Sequence, residues 1–215
     1  YKLTNPGTTS PAETFTFSEL TNVSVTDAAE GVTVENMPTP TIGSISYELG
    51  EAGSENMKKT AVITLPDNYS SVGVYTYSFK EIPGKTAGVT YYDKEIKLVV
   101  TVLQGENGRL RVAAVHTEAE DGDKADKFPN EYSAGSLAIA KVVTGNMGDK
   151  EKYFKVTVTL TGEKEKGYAT SYSVTGGSYE ENPEIIEIGI PTDFYLKHDD
   201  TITIENLPYG VTYTV

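Results

Sequence analysis

Gly73-Val74-Tyr75-Thr76-Tyr77-Ser78-Phe79-Lys80-Glu81 is the stretch that decides the fold. Side chains on a strand alternate between its two faces, so Tyr75, Tyr77 and Phe79 share one side while Thr76 and Ser78 take the other. Large rings opposite small polar groups describe a strand whose sheet is packed on one face and wet on the other. The same alternation runs through residues 14–17, 60–65 and 96–102. Residues 104–108 form a polar, Gly-bearing turn, which makes 109–115 the return arm of a hairpin. Residues 128–132 read as a further short strand. A second series of apolar blocks follows at 137–143, 154–160, 172–174, 185–190, 201–204 and 211–215, the last resembling the opening stretch in Gly210-Val211-Thr212-Tyr213-Thr214. No segment carries the period of a long amphipathic helix. Short strands separated by turns at these intervals predict an all-β chain of tandem immunoglobulin-like sandwiches. The expected units are residues 1–132 and 136–215, with Ser133-Ala134-Gly135-Ser136 as a small, flexible hinge.

Composition narrows the functional classes. Acidic residues number 31 against 18 Lys and Arg, a formal charge of −13 at pH 7. Duplex binding needs clustered cations that displace counterions, so nucleic acid and anionic lipid are poor partners. The chain has no Cys, which excludes disulfides, thiolate catalysis and Cys-ligated zinc together. No apolar run reaches the length of a membrane span. No secretory signal opens the chain. An acidic stretch holds Glu118, Glu120, Asp121, Asp123 and Asp126, but it lacks the ligand spacing and closing Glu of an EF-hand, so it reads as a solvated loop with no metal. His116 and His198 are the only imidazoles, and neither lies in a nucleophile motif of a hydrolase.

Three polar residues fall in apolar rows. Glu81 is next in phase after Tyr75, Tyr77 and Phe79. Asn130 lies between Phe128 and Tyr132, and Lys141 falls in the row of Leu137, Ile139 and Val143. Each taken singly has a plain explanation, such as a strand end leaving its sheet or a Lys reaching out to water. Together they suggest chemistry. Burial favours the neutral form of a Lys and the protonated form of a carboxyl. A neutral Lys is a nucleophile. A protonated Glu that donates to an Asn carboxamide carbonyl would open that amide to attack, with loss of ammonia. The product is an isopeptide bond, a covalent staple that needs no Cys.

Several stretches resemble the streptococcal pilin isopeptide-linkage family, the major shaft pilins of Gram-positive bacteria. They are Pro11-Ala12-Glu13-Thr14-Phe15-Thr16-Phe17, residues 73–81, Gly88-Val89-Thr90-Tyr91-Tyr92-Asp93 and Phe128-Pro129-Asn130-Glu131-Tyr132. In the second unit they are residues 137–145 and Asn206-Leu207-Pro208-Tyr209-Gly210-Val211. The resemblance implies that Glu81 is the acid that promotes the first bond, that Asn130 is its acceptor, and that Lys141 is the donor of a second bond in the next domain. It implies no cofactor and no turnover of a separate substrate. In that family each bond joins the first and last strands of one domain, so the first donor belongs on the opening strand. Lys2 is the only Lys there, yet its phase opposes Tyr1 and Leu3, and a donor about two residues ahead of Tyr1 fits the alternation better. The second unit is expected to be C-terminally incomplete, with its Glu about two residues after Val215 and its acceptor Asn further on. The resemblance also implies covalent joining to other pilin subunits by a sortase on a cell-wall-anchored surface pilus. Lys124 is the expected linking residue and Lys127 the alternative. A second class of function is an adhesin module that holds a host protein or glycan, which a contiguous exposed aromatic patch would favour.

Overall fold

In the computed structural model, which describes residues 1–53 and 58–215, the described residues form strands and loops, with 3-10 turns at Glu106–Gly108 and Lys164–Lys166. The deciding stretch forms the strand Gly73–Phe79 inside a four-stranded antiparallel sheet. It pairs with Thr21–Thr26 on one side and Ile96–Gln104 on the other, and Leu110–Glu118 lies beyond the latter. Tyr75, Tyr77 and Phe79 are buried with Leu20, Met37, Ile96, Leu98, Val100 and Val102. Burying each of these larger apolar side chains contributes about 1.5–3 kcal/mol, so the alternating row is what fixes the register. The buried hydroxyls are also satisfied. Tyr75 Oη donates to Ser71 O at 2.9 Å and Tyr77 Oη to Pro38 O at 2.7 Å.

Two three-stranded sheets and a two-stranded pair, Thr41–Ile42 with Ile63–Thr64, complete the first part of the chain among the described residues. Glu13–Phe17 sits between Ile45–Tyr47 and Glu81–Ile82. The opening strand Lys2–Leu3 runs parallel to Glu131–Tyr132, which pairs in turn with Val89–Thr90. Between them Tyr1, Leu3, Phe15, Tyr47 and Tyr132 form a second core. Residues 134–214 build a separate core of Val158, Leu160, Tyr172, Val174, Ile186, Phe194, Leu196, Ile202 and Ile204. It lies between the sheet carrying Ala134–Ala140 and Thr201–Pro208 and the sheet of Thr192–Leu196, Phe154–Thr161 and Thr212–Thr214. The chain is all-β, as its alternation predicts.

Some local expectations change. Only Ile63–Thr64 of the 60–65 block is strand, and the hairpin's return arm extends to Glu118. The hinge expected at 133–136 is corrected. The strand Ala134–Ala140 begins there at once, and Ala134 is buried opposite Pro208. Ser133 N–H donates to Gly88 O at 2.8 Å, and Thr9 N–H donates to Asn206 Oδ1 at 2.7 Å. The chain passes close to Gly88 here, while a Cβ on Gly135 would meet nothing within 4 Å. Gly88 has φ +79°, and a Cβ on it would lie 2.7 Å from Ser133 O and 2.9 Å from Pro208.

Candidate functional site

Lys80 marks a switch between sheets. The residues before it, Gly73–Phe79, belong to the four-stranded sheet, and Glu81–Ile82 after it pairs with Glu13–Phe17, placing Glu81 opposite Phe17. That switch carries the Glu81 side chain into the interior, where it is 1% exposed. Asn130 enters from the last strand's approach and is 4% exposed. Its carbonyl oxygen accepts Lys2 N–H at 3.0 Å, so first and last strands meet at this point. Asn130 Nδ2 donates to Glu81 Oε2 at 2.8 Å, and Tyr92 N–H donates to Asn130 Oδ1 at 2.8 Å. Rings wall the pair: Phe128 packs on Phe17 at 4.8 Å and on Tyr92 at 5.2 Å. A cavity of about 410 Å³ opens beside it, lined in part by Tyr1, Phe17, Phe79 and Phe128.

Burial is the main force on the Glu81 carboxyl and raises its pKa above the ordinary value; the hydrogen bond from Asn130 and the Tyr92 N–H oppose this, and the charge of Glu13 adds to it. Glu81 Oε1 has no hydrogen-bond partner among the described residues. An unpaired oxygen in a dry site favours the neutral acid. This has a pH consequence with a definite sign. A carboxyl whose folded pKa lies above its unfolded value leaves the fold most stable below about 4.5, the ordinary value, and costs stability as pH rises through the folded pKa. Glu81→Gln is therefore expected to flatten the decline in stability above that value, as read by urea unfolding from acid to neutral pH. An unchanged slope would assign the decline to other groups.

The geometry differs from the sequence reading in one respect. Glu81 was expected to donate to the Asn carbonyl. Instead the carbonyl oxygen has a backbone donor, Tyr92 N–H, and Glu81 faces the amide nitrogen. The first contact polarises the C=O toward attack, and the second puts an acid beside the group that would leave. The Tyr92 donor is a main-chain atom, so no residue type announces it.

The lysines are placed as follows. Lys2 points outward, as its phase requires, and its Nζ pairs with Glu131 at 3.3 Å. Lys141 is half-buried at the end of the Ala134–Ala140 strand, with Nζ 4.5 Å from the centre of the Phe154 ring. Its backbone N–H donates to Asp200 O at 2.9 Å. No Glu or Asn side chain of the described residues is hydrogen-bonded to its amine. Lys124 is exposed and pairs with Asp126 at 3.0 Å. His198 Nδ1 accepts Val143 N–H at 3.2 Å, a structural contact. Among the described residues no three His, Asp or Glu side chains converge as metal ligands, and no helix is long and apolar enough to cross a membrane.

A buried carboxyl–carboxamide pair beside the opening strand of an immunoglobulin-like chain is the feature that defines this site. Residues 2–133 match the family described as the Spy0128-like isopeptide containing domain, and the chain belongs to that family. Residues 135–215 match a domain of unknown function, DUF7601. A curated pilin of Streptococcus pyogenes serotype M1 is 27% identical over 220 residues, covering 99% of this chain and 64% of that pilin. The chain thus spans a little under two thirds of that relative. Among solved structures, the major pilin from Streptococcus pyogenes superposes with a TM-score of 0.61 at 25% identity, covering 99% of this chain and 77% of that one. Another major pilin from the same species gives 0.56 at 24% identity, covering 98% and 76%, a likeness of fold.

Proposed function

We propose that this chain is part of a structural subunit of a sortase-assembled, cell-wall-anchored Gram-positive pilus, whose domains are stapled by self-formed Lys–Asn isopeptide bonds. The observation that carries this reading is the buried 2.8 Å hydrogen bond between Asn130 Nδ2 and Glu81. A donor Lys on the opening strand, in phase with Tyr1 and Leu3 and ahead of both, would reach the Asn130 carboxamide from the cavity side. Its neutral amine attacks Cγ, the Cγ–Nδ2 bond breaks, and ammonia leaves. Glu81 relays a proton from the attacking amine to the departing nitrogen and ends as it began. Tyr92 N–H holds the amide oxygen as charge develops on it. The step occurs once per molecule and uses no cofactor. The division at 133–135 gives the second unit its own donor, Lys141, whose half-buried amine lies over Phe154.

Lys124 suits the intersubunit link, since its side chain is 77% exposed and stands next to the last strand's approach. Cells expressing Lys124→Ala are expected to lose the ladder of boiling-resistant polymers that the native subunit forms with its sortase. A ladder that persists with Lys124→Ala and disappears with Lys127→Ala would move the link to Lys127. The adhesin alternative draws on the run of ring contacts from Tyr153 through Tyr179 to Tyr195, at 5.0 and 5.1 Å. Tyr153 and Tyr179 are only half-exposed and already bonded to Ser178 and Glu181, so the pilus reading takes precedence.

A further inference from the structure

The four-stranded sheet ends on the strand Leu110–Glu118, and residues 111–116 of it are all exposed. A long edge strand with unpaired main-chain groups is a template for another strand, and proteins usually blunt such edges. Its far end is covered, where Ala125 N–H donates to Thr117 O at 3.2 Å and Lys124 bridges Glu118. The only two arginines of the chain, Arg111 on this strand and Arg109 just before it, lie here in a protein of charge −13.

Its register carries the argument. Ala114 faces Thr101 and Val112 faces Val102, so Ala113 is an extra residue, a bulge. The bulge resets the alternation. Val112 and Val115 both stand opposite core-facing residues, Val102 and Val100, while Arg111 and His116 both stand opposite outward-facing ones, Leu103 and Val99. A second copy laid antiparallel along this edge, with the two-fold axis between Ala113 and Ala114, brings Val112 against Val115 and Arg111 against His116. Without the bulge those pairs would point to opposite faces. Val112 and Val115 are 37% and 47% exposed, and such pairing covers both. Beyond the paired segment, Arg109 arrives at the partner copy's acidic loop, which carries Glu118, Glu120, Asp121, Asp123 and Asp126.

We propose that the outer edge of residues 111–116 is a self-recognition surface, joining two copies of this chain antiparallel into one continuous eight-stranded sheet. The occupant is a second copy because apolar residues meet apolar ones and Arg109 meets acidic groups. This stands apart from the isopeptide reading, since neither Glu81 nor Asn130 takes part. It places a lateral contact next to Lys124, the proposed linking residue.

Sedimentation velocity of the purified chain over a concentration series reaching the millimolar range tests it. A monomer–dimer equilibrium is expected, with Arg109→Glu, which would face the partner copy's acidic loop, raising the dissociation constant at least tenfold. Because the chain has no other Cys, Ala114→Cys near the axis is expected to give a disulfide-linked dimer under mild oxidation. Val23→Cys, exposed on the opposite edge of the same sheet, is expected to stay monomeric. Monomer at every concentration would overturn the proposal, leaving the edge to a foreign strand or to none. So would a dimer indifferent to Arg109→Glu, or equal cross-linking from Val23→Cys. Circular dichroism of each variant separates lost pairing from lost folding.

Discussion

In the full-length protein, Glu81→Ala is expected to abolish the first internal cross-link, leaving the variant at the full mass of its own sequence, with none of the one-ammonia deficit that bond formation gives the native protein. The acid has no substitute in the site, because Asn130 is otherwise held by a backbone N–H that cannot exchange a proton on the needed timescale. A bond between the opening strand and Asn130 closes a loop of most of the first 130 residues. If the chain-entropy treatment of disulfides carries over, losing it costs about 4–5 kcal/mol. Glu81→Ala and Asn130→Ala should therefore fall to the same lowered stability and behave non-additively when combined, since either alone removes the whole bond. A Glu81→Ala protein that still loses ammonia and yields a peptide joined at Asn130 would show that another group is the acid.

The second large effect is expected from Phe194→Ala. Phe194 is fully buried at the centre of the later core, on the strand Thr192–Leu196 that pairs with Phe154–Thr161. Removing such a ring costs about 3–5 kcal/mol through lost burial and the cavity left behind. Hydrogen exchange should report that loss among the amides of residues 154–204, while Tyr75, Tyr77 and Leu98 keep their protection, because the two sets of side chains belong to separate cores. Parallel loss in both would show that the Gly88–Ser133 junction makes the chain a single cooperative unit.

Much of the site was legible because strand alternation is a strict code. Glu81 is two residues past Phe79, and Asn130 is midway between Phe128 and Tyr132, so phase alone marked both as inward-facing, and both are buried. Lys2 was legible in the opposite sense, since its phase against Tyr1 and Leu3 sends it to solvent and Glu131. Lys141 was read as a core residue and lies half-buried, because its strand is the outermost of its sheet and leaves one flank open. The strand Thr21–Thr26 went unread although Val23 and Val25 alternate with polar residues; its pairing register slips between Asn22 and Ser24, which leaves Val23 exposed.

The sequence by itself determined the all-β class, the rows of residues that form the cores, and the residue types available for chemistry, because these depend on composition and on a two-residue period. It also determined that no Cys chemistry holds the fold together. Only the tertiary structure decided what those residues do to one another. Glu81 and Asn130 are 49 positions apart and meet through the change of sheets at Lys80 and the parallel pairing of Lys2–Leu3 with Glu131–Tyr132. The donor on the Asn130 carbonyl is the main chain of Tyr92, whose N–H every residue but proline would have offered. Alternation says which way a side chain points, and long-range strand pairing says what it finds there.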